Sequence, residues 1–303
     1  MYRNFDELIS ALQNDTTKRR CAVASAADKH TLEAVVKADL DGIIEPVLIG
    51  DEEKIITILR EMGVRAEGFE IIHADSEEDS AQIACDLVNQ GKASAIMKGL
   101  METSTIMRAV LKKENNLRAG GLLSAVSLLE IPGYHKLLLT TDPGLNMYPD
   151  VDGKQQIIEN AVALMRGLGV ECPKVAVLAA VEVVNPKMQA TVDAAELKRR
   201  NQAGEIKNCL VDGPLSFDIA MSEKAAKIKK LDSPVAGDPD IIVYPNIDVG
   251  NIAGKALVYS GGAKSAAIMV GARVPIINTS RSLSVDGKCR AIALAVACGV
   301  LEA

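Results

Sequence analysis

The chain has 303 residues, of which 48% are hydrophobic, 24% are charged and only 3% are aromatic, and its formal net charge is −6. This balance is typical of a folded globular protein with an aliphatic core, and the length suits one large domain or two of ordinary size. The acidic balance and the few aromatic rings argue against a nucleic-acid-binding protein, because such proteins offer basic surfaces or stacking platforms.

Short aliphatic runs alternate with amphipathic segments through the first part of the chain. This alternation is typical of a parallel α/β sheet. The predicted strands are 20–25, 45–49, 69–73 and 95–97. The predicted helices are 2–14, 29–39, 51–62, 76–90 and 104–113, with an acidic N-cap region at Asp51 and an N-cap at Ser76.

A hairpin signal interrupts the alternation, because Pro132-Gly133 joins two apolar runs at 126–131 and 136–141. The turn-rich segment 141–144 follows, and we predict the domain boundary there. Beyond it, the predicted strands are 174–180, 209–211, 241–244 and 274–278. The predicted helices are 154–167, 190–200, 217–227 and 290–300.

The cysteine and histidine residues show no metal-binding spacing. The six cysteines form no CxxC pair and have no histidine at a zinc-like distance, so they are expected to be reduced and mostly buried, as in a cytoplasmic protein. The three histidines are scattered and are expected to be structural or on the surface. No apolar run has the length of a membrane span, and charges interrupt residues 1–14, which differ from a secretory leader.

The stretch 237–290 is the most informative part of the chain. It contains two predicted strands, each followed by polar residues and then a helix. The first strand leads to Asn246 and then to Gly250, Asn251 and Lys255, and the second leads to Thr279, Ser280 and Arg281. In open α/β sheets, ligands bind at the carboxyl ends of strands, where helix starts favour anions. The segment therefore predicts an anion-binding site.

Two nucleotide-binding motifs are disfavoured. The spacing from Gly250 to Gly254 and Lys255 is one residue shorter than in a Walker A loop, and Ala256 replaces the usual Ser or Thr. No G-x-G-x-x-G motif follows the first strand, which disfavours a Rossmann-type NAD site.

Several blocks, in order along nearly the whole chain, resemble the phosphate acetyltransferase/phosphate butyryltransferase family. The blocks are GNIAGKAL at 250–257, PIINTSR at 275–281, AIMKG at 95–99 with TST at 103–105, DGPLSFD at 212–218 and PVAG at 234–237. The block VEVVNPKM at 181–188 is closer to the butyryl branch.

The resemblance implies two α/β domains with a cleft between them, in an architecture similar to isocitrate and isopropylmalate dehydrogenases. The first domain is expected at 1–142 and 277–303, and the second at 143–276. The resemblance also implies reversible acyl transfer between CoA and inorganic phosphate, by direct attack of the CoA thiolate on an acyl phosphate in a ternary complex. A butyryl group is favoured over acetyl.

The expected catalytic residues are Ser280, Arg281 and Asp286. The planar guanidinium of Arg281 suits two phosphate oxygens. Ser280 matches the family's active-site serine, although a helix N-cap is an equally good interpretation. The acetyl branch uses an Asp shortly after its Ser-Arg pair as a base. Asp286 is the candidate here, but the sequence SRSLSVDGK differs from the acetyl pattern SRG, so its register is open.

The expected substrate-binding residues lie on two loops and a helix start. They are Lys98, Thr103, Ser104, Thr105, Arg108, Asn246, Gly250, Asn251 and Lys255. Hydroxyl side chains at a helix start suit an anion. Arg108 is as readily explained as a solvated charge, whereas ligand contact is the favoured interpretation of Lys255 and a solvated charge is the alternative.

The resemblance implies acyl-CoA and phosphate as substrates, no metal and no tightly bound cofactor, no nucleic-acid or membrane partner, and a homodimer or higher homo-oligomer in the cytoplasm. Three alternatives remain open at this point. They are a fatty-acyl phosphate transferase of lipid synthesis, a metal-dependent dehydrogenase of the same fold and a non-catalytic two-lobed ligand-binding protein. The dehydrogenase is disfavoured because clustered aspartates and a nucleotide site are lacking from the sequence pattern.

Overall fold

The structure is a computed structural model that describes residues 2–15, 17, 19–119, 121–279 and 283–298. It contains two compact units. Unit 1 comprises Met1–Asn4 and Leu122–Ser265, and unit 2 comprises Phe5–Gly121 and Ala266–Ala303. The sequence-based boundaries, after residues 142 and 276, lie further along the chain than these. The hairpin segment belongs to unit 1 because its second strand pairs with a strand of that unit.

The strands, in chain order, are β1 Arg20–Ala24, β2 Glu45–Gly50, β3 Glu70–His73, β4 Ala95–Lys98, β5 Ser124–Glu130, β6 Leu138–Thr141, β7 Lys174–Leu178, β8 Leu210–Leu215, β9 Ile241–Val243, β10 Lys264–Val270 and β11 Ile276–Ile277. The helices are α1 Phe5–Gln13, α2 Lys29–Leu40, α3 Glu52–Glu61, α4 Glu77–Asn89, α5 Thr103–Leu111, α6 Val151–Gly167, α7 Gln189–Gln202, α8 Phe217–Met221, α9 Glu223–Ile228, α10 Ile247–Tyr259 and α11 Val285–Cys298. Short 3-10 turns lie at Ala66–Gly68 and Lys113–Asn115.

The strands of unit 2 follow the order β3-β2-β1-β4-β11-β10. The pairs from β3 to β11 are parallel, and β10 is antiparallel to β11. Strands β1 and β4 are almost completely buried, as expected for central strands of a parallel sheet covered by helices. Helix α11 is an apolar core helix, since its residues from Ala291 to Ala297 are all buried.

The strands of unit 1 follow the order β5-β6-β9-β7-β8. Only β5 and β6 are antiparallel, and they form the predicted hairpin around Gly133, whose φ of 84° suits a glycine turn. Leu138, Leu178, Ile219 and Ile242 are among the buried residues of the core of this unit. The predicted α/β class and the hairpin are confirmed.

Local capping explains several helix starts. The side chains of Asp51 and Ser76 accept hydrogen bonds from Lys54 N and Asp79 N, both at 3.1 Å, so the predicted N-terminal caps of α3 and α4 are confirmed. Asp28, which was not predicted as a cap, does the same for α2 by accepting from Thr31 N at 2.9 Å.

Three elements of the structure differ from the sequence-based prediction. The single helix at 217–227 is two helices, because Ser222 has an extended backbone and its hydroxyl caps α9 through Ala225 N. Helix α11 begins at Val285, ahead of the predicted start at residue 290. Strand β10 was not predicted. No helix in the described part of the chain combines the length and apolar character that a membrane crossing requires.

Candidate functional site

Three parallel strands of unit 2 end at one edge of its sheet, where the sequence predicts ligand binding. Strand β4 lies between β1 and β11, with parallel pairing on both sides, so the chain segments after all three strands emerge together. A cavity of about 110 Å³ lies at this edge. It is lined by Asp28, His30, Thr31, Lys98, Gly99, Leu100, Thr279 and Lys288.

The predicted site residue Lys98 ends β4 and lines this cavity. Its side chain is 6% exposed, and its ammonium donates to the carbonyl of Met101 at 3.0 Å. The next residue is Gly99, and the backbone leaves no space for a side chain there. A Cβ at position 99 would lie 2.8 Å from the carbonyl oxygen of Ala24. The amide of Gly99 donates to that same oxygen at 2.7 Å, which fixes the backbone as it leaves the strand.

The predicted hydroxyl residues lie at the start of α5. The hydroxyl of Thr103 donates to the side-chain oxygen of Asn278 at 3.2 Å, so the segment after β4 contacts the segment after β11. Ser104 is exposed, whereas Thr105 is 5% exposed. Asn278 was not predicted as a site residue, although its place directly after the short strand β11 is a signal that the sequence contains.

Arg108 lies on the exposed side of α5. Its guanidinium donates to the carbonyl of Ser104 at 3.3 Å and to the hydroxyl of Thr105 at 3.4 Å. It also lies 3.7 Å from the carboxylate of Glu78, and both side chains are about 70% exposed. Arg108 is therefore tied to the predicted hydroxyl cluster and still accessible to an anion from solvent.

The predicted catalytic residues are described only in part. Ser280 and Arg281 lie outside the described residues. Asp286 is exposed in the first turn of α11. The next residue, Gly287, packs under Leu283, since a Cβ at position 287 would lie 2.7 Å from the Leu283 side chain. The structure thus places Asp286 on the open side of the helix start.

Lys288, in the same first turns of α11, is not among the site residues that the sequence predicts. Its side chain is 3% exposed and lines the cavity together with Lys98. A single lysine inside a predicted loop gave no signal, because only the helical register of α11 turns it toward the strand ends.

The predicted site residues of unit 1 belong mainly to α10 and not to the predicted loop. Asn246 is the N-cap, accepting from Val249 N at 3.1 Å. Gly250 allows close packing of the helix, because a Cβ would lie 2.8 Å from the carbonyl oxygen of Asp142. Asn251 donates to the carbonyl of Pro143 at 3.3 Å, and Lys255 is exposed.

A polar cluster follows β7 and β8 of unit 1 and includes the block that indicated the butyryl branch. The hydroxyl of Ser216 hydrogen-bonds the carboxylate of Glu182, which also accepts from Lys229 at 3.0 and 3.1 Å. These hydrogen bonds, first from Ser216 and then from Lys229, lower the pKa of Glu182 against the opposing effect of its partial burial. The neighbouring Val183 is 74% exposed.

Among the residues that the structure describes, no three His, Cys, Asp or Glu side chains form a group that could hold a metal ion. The functional groups at the strand ends are instead ammonium groups, hydroxyls and amides. Such groups bind anions such as phosphate or carboxylate.

The comparisons with known proteins agree with this chemistry. A phosphate butyryltransferase of Clostridium acetobutylicum is 42% identical over 295 residues, 97% of this chain and 98% of that protein. A phosphate acetyltransferase of Thermotoga maritima is also 42% identical, over 276 residues, 91% of this chain and 94% of that protein.

Solved structures show the same fold. A branched-chain phosphotransacylase from Enterococcus faecalis V583 has a TM-score of 0.83 at 31% identity, with 94% of this chain and all of that chain covered. A 4-hydroxythreonine-4-phosphate dehydrogenase from Klebsiella pneumoniae is 14% identical and has a TM-score of 0.58, with 93% of this chain and all of that chain covered. The predicted likeness to dehydrogenases is therefore confirmed at the level of fold. Residues 73–296 match the profile of the family described as Phosphate acetyl/butaryl transferase, and the chain belongs to that family.

Proposed function

We propose that this protein is an enzyme that transfers a short-chain acyl group reversibly between CoA and inorganic phosphate. The observation that carries this proposal is the 42% identity, over 97% of the chain, to a protein named phosphate butyryltransferase. The strand-end cavity with its buried Lys98 supports it, because both substrates carry phosphate groups.

The proposed reaction needs no enzyme nucleophile. In the direction of acyl phosphate formation, a phosphate oxygen attacks the thioester carbonyl, the tetrahedral oxyanion collapses, and the CoA thiolate leaves. In the reverse direction the thiolate attacks the acyl phosphate and phosphate leaves. The protein must position both substrates, neutralise the phosphate charge and stabilise the oxyanion by hydrogen bonds.

The roles that we propose for the site residues follow from their chemistry. Arg281 and Lys98 offset the charge of the phosphate, and Ser280 donates to a phosphate or carbonyl oxygen. Asp286 accepts the proton of the CoA thiol, for which its exposed position in the first turn of α11 leaves it accessible. Thr103 provides a further hydroxyl near these groups.

Other predicted contacts remain part of the proposal. In unit 2, Ser104, Thr105 and Arg108 lie on α5. In unit 1, the start of α10 offers polar groups at Asn246, Gly250, Asn251 and Lys255. We propose that these residues contact the substrates and that CoA acts only as a substrate, with no metal or tightly bound cofactor.

We further propose that the enzyme works in the cytoplasm as a homodimer or higher homo-oligomer. All six cysteines are free thiols, which supports a reducing compartment. Sedimentation of the purified protein would test the oligomeric state, because a monomer at assay concentration would contradict it.

The activity is tested by measuring CoA release from butyryl-CoA and acetyl-CoA, with and without phosphate, using a thiol reagent. Phosphate-dependent release that is faster with butyryl-CoA is expected. A pocket distinguishes one methylene by about 1–3 kcal/mol, and butyryl has two more methylenes than acetyl, which sets the size of the expected preference. Faster release with acetyl-CoA would overturn the acyl preference alone. Absence of phosphate-dependent release with short-chain, branched-chain and long-chain acyl-CoA would overturn the function.

A variant pair tests the proposed charge stabilisation. Arg281→Met should lower kcat/KM by roughly a hundredfold or more, because donors to developing charge contribute that much in other enzymes. Lys54→Met removes a positive charge from the same unit. Lys54 is 71% exposed and is paired with Asp51 within α3, so this control should keep normal activity.

A further inference from the structure

The two lysines of the strand-end cavity have different environments. Lys98 is held by backbone carbonyls at the end of β4. The residue Lys288 is 3% exposed, and its ammonium makes no hydrogen bond or ion pair with any residue that the structure describes. A buried ammonium without a partner is costly, and proteins retain one chiefly where a ligand supplies the missing charge.

The remaining groups of the cavity do not satisfy Lys288. The carboxylate of Asp28 already accepts from Thr31, from the backbone amide at 2.9 Å and from the hydroxyl at 2.7 Å. His30 lies 3.4 Å from Glu33 on the exposed side of α2. The described lining residues contribute two ammonium groups and one carboxylate, which is an excess of positive charge.

The two backbone amides that directly follow β4 are already used within the protein. The amides of Gly99 and Leu100 donate to the carbonyls of Ala24 and Ser25, at 2.7 and 2.9 Å. Among the described lining residues, the side chains offer a ligand the two ammonium groups and the hydroxyl of Thr279.

The volume limits the occupant to a small group. A cavity of about 110 Å³ holds a few water molecules, at roughly 30 Å³ each, or one tetrahedral oxyanion. It is well below the roughly 300–1,000 Å³ of pockets that enclose drug-sized ligands, so a whole CoA molecule does not fit.

We propose that Lys288 and Lys98 together form a phosphate-group site, in which Lys288 is the specific charge partner of the bound phosphate. The proposal deepens the proposed function and rests on it for the role of the bound phosphate in turnover. The occupant is a phosphate group of either substrate. We favour inorganic phosphate because the cavity is small.

The test compares Lys288→Met, Lys288→Arg and the control Lys54→Met in the full-length protein. Phosphate binding is measured first, by calorimetric titration and by the rise in melting temperature with inorganic phosphate or with CoA. The KM values for phosphate and for acyl-CoA follow. Lys288→Met should still fold and have an equal or higher melting temperature without ligand, because methionine removes an unpaired buried charge.

We expect Lys288→Met to weaken phosphate binding and raise the KM for phosphate roughly ten- to a hundredfold, the usual loss for a charged hydrogen bond, with an unchanged KM for acyl-CoA. Lys288→Arg should recover part of the affinity. A weakening confined to CoA would support the phosphate-group site and assign it to CoA. Unchanged binding of both ligands would overturn the proposal.

Failure of this inference can be told apart from failure of the proposed function. Binding of inorganic phosphate that depends on Lys288, in a protein that turns over no acyl-CoA, would keep the site and overturn the function. Normal phosphate-dependent acyl transfer by Lys288→Met, with unchanged affinities, would keep the function and overturn the site.

Discussion

The hydroxyl of Thr103 donates a hydrogen bond to the side-chain oxygen of Asn278 at 3.2 Å. This contact joins the start of α5 to the segment that follows β11. Both segments carry residues that the sequence predicts to bind substrate, and 175 positions separate the two residues in the chain. The hydrogen bond therefore fixes the position of one predicted binding segment relative to the other.

Asn278→Ala should lower kcat/KM by about tenfold, because a small displacement of a positioned group is costly in catalysis. Stability should change by only about 0.5–1.5 kcal/mol, the usual net contribution of one hydrogen bond. Steady-state kinetics and urea unfolding measure the two effects. Thr103→Ala combined with Asn278→Ala should be no worse than Thr103→Ala alone, because the first change already removes the hydrogen bond.

Thr57→Ala is the matched control for these variants, since among the described residues the Thr57 hydroxyl donates only to the Glu53 carbonyl of its own helix. It should leave activity unchanged. If Asn278→Ala kept more than half of the wild-type kcat/KM, the hydrogen bond would have no positioning role.

A buried ion pair links two helices of unit 1. The ammonium of Lys154 in α6 lies 2.5 Å from the carboxylate of Asp193 in α7, and both side chains are less than a tenth exposed. Asp193→Ala leaves the ammonium buried without its partner and should destabilise the protein by about 3–5 kcal/mol. Lys154→Met combined with Asp193→Leu should recover most of that loss.

Urea unfolding of the three proteins tests this prediction. The matched control is Asp41→Ala, which breaks the exposed pair with Lys37 and should cost less than about 1 kcal/mol. Equal destabilisation by Asp193→Ala and Asp41→Ala would contradict a special contribution from burial.

The sequence predicts the parallel arrangement of unit 2 well because the signals there are local. Asp51 and Ser76 are capping residues beside apolar runs, and the structure uses both as caps. Lys98 was predicted to lie at a strand end, and it does. In each case the residue and its near neighbours contain the information.

The signals fail where a distant contact decides the local structure. Gly250 lowers the helix propensity of its segment, which favours a loop, yet it allows α10 to pack close to Asp142. Lys288 resembles a solvated charge until the register of α11 turns it into a cavity. No local pattern contains either contact, so neither was predictable from one sequence.

The thiols should differ sharply in reactivity. Burial raises the pKa of Cys21 and Cys209 to about 12, and that of Cys85 and Cys289 to about 11. Burial also raises the pKa of Cys298. Cys172, in contrast, is exposed. Since the thiolate is the reactive form, the native protein should react with one equivalent of a disulfide reagent, and the denatured protein with six.

Cys172→Ser should abolish the rapid native reaction and leave phosphate-dependent CoA release unchanged. It would also remove the background from the thiol-based assay. Rapid modification of two or more cysteines in the native protein would mean that the buried thiols are accessible on the timescale of labelling.

Asp238 should make the stability of unit 1 depend on pH in the acid range. Its carboxylate lies 2.7 Å from the ammonium groups of both Lys136 and Lys174. Partial burial acts to raise the pKa of Asp238, but hydrogen bonds from the two lysines outweigh it and lower the pKa to about 2. The folded pKa is thus below the unfolded value of about 3.9.

A carboxyl group with a lowered folded pKa stabilises the protein above its unfolded pKa, and this contribution is lost as the pH falls through the folded value. The free energy of unfolding of the wild type should therefore exceed that of Asp238→Asn near pH 5, where the carboxyl group is ionised in both the folded and the unfolded state. Below about pH 4 the difference should shrink, and it should approach zero near pH 2. We expect a plateau of about 1 kcal/mol, because the side chain is 42% exposed and solvent screens the ion pairs.

Urea midpoints across this pH range measure the difference, with Asp75→Asn, at a 93% exposed carboxylate, as the control that should show little change. A difference that stays constant down to pH 2 would show that Asp238 stabilises the fold by packing and not by its charge.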